Sequence, residues 1–126
     1  MTKTNGPAPG FVSHPNHTIR ISKSDRKWTV LVGETVIASS NRALELQEAS
    51  YDSVVYFPRE DVSLDRMQPS SDRTTCPFKG EASYFSAPGA GTGSPIAWTY
   101  PAVYDEVSAI AGFIAFYADR VEIIAE

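Results

Sequence analysis

Residues Thr18–Ser39, TIRISKSDRKWTVLVGETVIAS, decide how this chain is read. Ile19 and Ile21 alternate with polar neighbours, and Trp28, Val30 and Val32 resume the same period after Ser24-Asp25. A repeat of two places every second side chain on one face, which is the signature of a half-buried strand. Gly33-Glu34 is a two-residue hairpin signal, since Gly33 can take the positive φ of a tight turn, and Val36 and Ala38 continue on the return strand. Residues 18–39 therefore predict a three-stranded meander.

Outward from that segment the chain stays β-rich. Strands are expected at Ala43–Gln47, with Leu44 and Leu46 on one face, and at Ser53–Phe57, a β-branched and aromatic run ended by Pro58. A helix over 41–48 is the alternative for the first of these, because Ala, Leu, Glu and Gln are helix formers. Arg59–Gln68 reads as a connection leading into the turn-rich Pro69-Ser70-Ser71-Asp72. Thr74–Phe85 reads as extended, Ala87–Pro95 as a glycine-rich hairpin tip and Ile96–Tyr100 as the returning strand. Asp105–Ala111 is a short helical candidate with an acid at its start. Phe113–Tyr117 and Val121–Ile124 are closing strands. The expectation is a mainly β fold of seven to nine strands with one short helix. Residues 1–16, with Pro7, Pro9, Pro15, Gly6 and Gly10, read as a flexible N-terminal arm, and 17–126 as a single β-rich domain.

Composition narrows the function classes. Eleven basic against fifteen acidic residues give a formal charge of −4, with no basic stripe, so no nucleic-acid partner is expected. The longest apolar run, Ala109–Ala118, is too short for a membrane span, which takes about 18 residues or more. No secretory pattern opens the chain, and a single thiol suits a reducing compartment; a soluble cytoplasmic protein is expected. One cysteine, Cys76, and two histidines, His14 and His17, cannot close a four-ligand zinc site. No metal or other cofactor is expected.

Four blocks then resemble one family: YFPREDV (Tyr56–Val62), CPFKGEASY (Cys76–Tyr84), AWTYP (Ala97–Pro101) and IAGFIAFY (Ile110–Tyr117). The chain resembles the domain of unknown function family four hundred and twenty-seven over about residues 18–124. The resemblance implies a compact β-tent, or Mss4-like, fold and implies little about activity, although such proteins are sometimes labelled nucleotidyltransferases. That chemistry needs carboxylates converging on divalent metals. Asp61 and Asp65 stand four apart with no Asp-x-Asp pair, and Gly91-Thr92-Gly93-Ser94 lacks the Gly-Lys-Ser/Thr ending of a phosphate loop. Relatives of the β-tent architecture often use paired cysteines for zinc or for sulfoxide reduction, and no second cysteine is present here.

The residues able to carry chemistry cluster in CPFKGEASY. Read as one extended strand, it places Lys79 and Glu81 on the same face, as an acid–base pair or as an inert ion pair. Cys76 is either a nucleophile, its thiolate favoured by Lys79, or a small buried hydrophobe. Neither histidine is placed by sequence to act as its base. Trp98 and Tyr100 share a strand face, with Tyr84 on the hairpin partner; such aromatics either pack as core or wall a ligand pocket. Arg59, fixed by Pro58, is a candidate anion contact, the alternative being a pair with Glu60 or Asp61.

Three readings follow. The first is a module binding a small polar or planar ligand in an aromatic-walled pocket through Arg59, Lys79, Glu81, Tyr84, Trp98 and Tyr100. The second is an enzyme using the Lys79/Glu81 pair or Cys76. The third is a structural or protein-interaction domain, monomer or homodimer, whose edge strands could pair.

Overall fold

The computed structural model of the chain describes residues 6–87 and 95–126. Among them are ten strands: β1 (Ile19–Lys23), β2 (Trp28–Val32), β3 (Thr35–Ser40), β4 (Leu44–Glu48), β5 (Val54–Phe57), β6 (Gln68–Cys76), β7 (Gly80–Ser86), β8 (Ala97–Thr99), β9 (Ile114–Phe116) and β10 (Glu122–Ala125). They form a seven-stranded antiparallel sheet in the order β1-β4-β5-β9-β8-β7-β6 and a three-stranded antiparallel sheet in the order β10-β2-β3. The mainly β expectation holds, and the segment 43–47 is strand rather than helix.

The opening meander does not hold. β2 and β3 pair across Gly33-Glu34, but β1 pairs with β4, Ile21 opposite Leu46. The turn at Ser24 carries the chain from one sheet to the other. Its amide donates to Ala43 O at 3.0 Å, and its hydroxyl accepts from Trp28 Nε1 at 2.8 Å. Alternation marks which face is buried; it does not name the strand that receives the backbone hydrogen bonds.

A second difference lies in 74–85, which is two strands and not one. Pro77, Phe78 and Lys79 form the connection between β6 and β7, Cys76 lying opposite Gly80. Proline cannot donate to a ladder. Gly80 has φ +135°, and a Cβ there would stand 2.7 Å from Ala102 O, so this corner requires glycine. The turn-rich 69–72 stretch is absorbed into β6 as an irregularity between Pro69 and Arg73. The short helix is realised as 3-10 turns over Asp105–Ile110, broken at Val107 (φ −120°).

From Gly6 onward the segment read as a flexible arm lies packed against the domain. Ala8 is buried, and its amide donates to Glu106 Oε1 at 2.9 Å. Gly10 N donates to Pro77 O at 2.9 Å, and Gly10–Ser13 forms a single helical turn, α1. Pro9 does not oppose this, because proline suits the start of a helix, where no amide partner is needed. Residues 1–5 and most of the expected hairpin tip, including Gly91–Ser94, lie outside the described residues.

Two cores result. One fills the space between the sheets and includes Val30, Ile37, Phe57, Ile114 and Phe116, with Phe57 and Phe116 edge to face at 5.5 Å. The other lies on the opposite face of the large sheet, where Val103, Val107 and Ile110 cover Leu46, Tyr56, Ala82 and Ala115. No described helix is long and apolar enough to cross a membrane.

Candidate functional site

The second face carries a register row across the middle of the large sheet: Leu44, Tyr56, Ala115, Trp98 and Tyr84 lie opposite one another on β4, β5, β9, β8 and β7. Ala115 is the small member, so the rings beside it can approach across its methyl group. Tyr56 and Trp98 meet edge to face at 6.3 Å, and Trp98 Nε1 donates to Tyr56 Oη at 3.3 Å. Tyr84 Oη pairs with Thr74 Oγ1 at 2.6 Å. Trp98 also packs on Tyr117 at 4.6 Å, and the Arg120 guanidinium sits 4.4 Å from the Tyr117 ring centre.

These aromatics wall a cavity of about 160 Å³. Leu46 and Val54 supply its aliphatic side, Tyr100 a further aromatic wall, and Glu48 and Lys79 its charged end. Lys79, only 7% exposed, is held by the β6–β7 turn, and its ammonium donates to Glu48 Oε1. His17 Nε2 donates to the other oxygen, Oε2, at 2.8 Å, the direction fixed because an ionised carboxylate only accepts. The His17 ring stacks on Phe78 at 4.0 Å, so the residue beside Lys79 also positions the imidazole. Cys76 Sγ lies 4.0 Å from Lys79 Nζ.

Burial pushes the Glu48 carboxyl up, but the hydrogen bonds from Lys79 and His17 outweigh it and hold Glu48 below its ordinary value of 4.5. Tyr56 and Tyr100 are driven the other way: burial raises both phenols well above the usual range, and neighbouring negative groups add to it. Both therefore remain protonated hydrogen-bond donors in neutral solution.

Of the residues expected at the site, Lys79, Tyr84, Trp98 and Tyr100 come together around one cavity. Glu81 does not join them. It is exposed on β7, where Ala82 and Tyr84 belong to the covered face, because the turn ahead of Gly80 breaks the common-face relation with Lys79. Glu48 takes its place as the partner of Lys79. Arg59 is exposed in the 3-10 turn Arg59–Asp61 and lies outside the cavity. Its neighbours Glu60 and Asp61 pair instead with Arg42, at 3.2 and 3.0 Å.

A family model named NTP_transf_9 and described as Domain of unknown function (DUF427) matches residues 20–126. The chain belongs to this family. No curated protein matches it. The DUF427 span contains every residue lining the cavity, whereas His17, which braces Glu48, lies just ahead of it. Among the described residues of this DUF427 chain, no three His, Cys, Asp or Glu side chains are grouped as metal ligands would be. Asp61 is engaged by Ser40 at 2.6 Å and by Arg42.

Glu48 and His17 were not singled out from the sequence. Glu48 has the same strand parity as Leu44 and Leu46, so extending that strand by one residue places it on the covered face. His17 carries no such signal, because its position depends on the docking of 6–17.

Proposed function

We propose that this DUF427 chain binds a small, flat molecule in the cavity between Tyr56, Trp98, Tyr84 and Tyr100. The observation that carries the reading is the cavity itself, walled by these aromatics and ended by the Lys79–Glu48 pair, whose lysine is buried and whose carboxylate is half-buried. Aromatic walls with a few fixed polar groups are the usual form of a small-ligand site. The volume is close to that of an engineered apolar cavity that accepts benzene.

Binding is favoured over the two catalytic alternatives on specific grounds. A carboxylate held below 4.5 is a weak base at neutral pH, so the Lys79–Glu48 pair suits holding a ligand better than abstracting a proton. A nucleophilic Cys76 would want an imidazole, and His17 is committed to Glu48.

A fragment screen by thermal shift and ligand-observed NMR tests the proposal. Single-ring fragments are expected to bind with a Kd of about 0.1–1 mM, the range open to so few atoms. Val54→Phe, which pushes a ring into the cavity from its half-buried side, should abolish these hits, and Arg59→Ala should leave them unchanged. Hits that survive Val54→Phe at full strength would place binding elsewhere.

A further inference from the structure

The cavity wall holds unused hydrogen-bond donors. Each oxygen of Glu48 already accepts a bond, Oε1 from Lys79 and Oε2 from His17. Tyr56 Oη accepts from Trp98, which leaves its own O–H to donate. Tyr100 is 8% exposed and lines the cavity. Its hydroxyl has no side-chain or backbone partner among the described residues, and no fully enclosed side-chain polar atom is left unbonded, so this hydroxyl opens onto the hollow. An ammonium carries three donors, and Lys79 uses one on Glu48 and turns one toward Cys76 Sγ. Tyr100, Tyr56 and Lys79 therefore each keep a hydrogen to offer a ligand.

The charge is balanced as well. Glu48 and Lys79 are the charged side chains lining the cavity, and they are bonded to each other. An anion would add a second negative charge beside the Glu48 carboxylate, and a cation a second positive charge beside the Lys79 ammonium. Either leaves one poorly solvated charge without a counter-charge, which is strongly unfavourable.

Resting on the reading that this cavity binds a small ligand, we infer that it selects an uncharged single-ring compound bearing a carbonyl or amide oxygen, with that oxygen received by Tyr100, Tyr56 and Lys79. The ring lies against Trp98 and Tyr84, and the aliphatic Leu46 and Val54 face its remaining edge. Burial keeps both phenols protonated, which preserves the donor set across the neutral range.

Four probes of nearly equal size separate the possibilities: benzamide, toluene, benzoate and benzylammonium. Each is titrated while the Trp98 indole N–H resonance is followed by NMR. Benzamide is expected to bind most tightly, and Tyr100→Phe to weaken it about three- to tenfold while leaving toluene unchanged, as loss of one neutral hydrogen bond dictates. Tyr56→Phe provides a second removal of a donor should the first variant fold poorly. Tighter binding of benzoate or benzylammonium, or equal binding of toluene and benzamide, overturns the ligand class while leaving the cavity as a binding site. Failure of all four to move the Trp98 signal overturns the binding reading itself, and this inference with it.

Discussion

Replacing Glu48 by Gln removes one charge from the pair that closes the cavity. The Lys79 side chain is 9% exposed and that of Glu48 20%. Breaking a fully buried ion pair by removing one partner costs about 3–5 kcal/mol, mostly because the remaining charge is left uncompensated. Glutamine retains an acceptor oxygen and Glu48 keeps some contact with water, so the expected loss is about 2–3 kcal/mol. For a domain of this length that is a fall in Tm of about 6–15 °C. Adding Lys79→Met removes the stranded cation, and the double variant should regain more than half of the lost stability. Urea unfolding of the wild type, both single variants and the double variant measures the coupling directly. The sign with pH is also set. A carboxyl whose folded pKa is depressed contributes stability above its unfolded value and loses it as pH falls through the folded one. The gap between wild type and Glu48→Gln should therefore be constant above about pH 6 and begin to close as pH drops below 4.5, the ordinary glutamate value. A Glu48→Gln variant within about 0.5 kcal/mol of wild type, or a double variant as unstable as the summed singles, would refute the reasoning.

Three further perturbations probe what places the site. Gly80→Ala sets a Cβ 2.7 Å from Ala102 O at a φ of +135°; the expected loss is about 2 kcal/mol or more by denaturant titration, and a loss under about 0.5 would contradict the geometry. Gly10→Ala sets a Cβ 2.7 Å from Phe78 Cε1 and 2.9 Å from Pro77 O; it should release residues 6–17, read as faster chymotryptic cleavage after Phe11, and an unchanged cleavage rate would argue against the docked segment. Ser24→Ala removes the acceptor of Trp28 Nε1 at 2.8 Å; the expected loss is about 1–2 kcal/mol, and Ser24→Thr, which keeps the hydroxyl, should recover most of it.

Much of this architecture could be read from the residues alone, for reasons that also explain the failures. Ile19/Ile21, Trp28/Val30/Val32 and Leu44/Leu46 alternate because each strand has one covered face, so the strands and their inward residues are legible. The exchange of β1 from the small sheet to the large one is not, since pairing is settled by long-range contacts and by the Ser24 corner. The nearness of Tyr84, Trp98 and Tyr100 is legible because β7 and β8 pair, with Tyr100 directly after β8. Taking Pro77-Phe78-Lys79 as strand puts Glu81 on the wrong face, since these residues form the β6–β7 turn. Pro77 at its start and Gly80 after it are turn signals that outweigh the strand propensity of their neighbours. The place of His17 is not legible, because nothing local to it reveals the contact that Gly10 makes with Pro77.

The residues that line the cavity run from Leu46 to Tyr117, so no contiguous fragment of the chain shorter than that span contains the whole wall. Occupancy is thus an all-or-nothing property of the finished sheet. A compound that lodges there acts as a pharmacological chaperone for the entire domain, shifting its global unfolding equilibrium by mass action rather than bracing one loop.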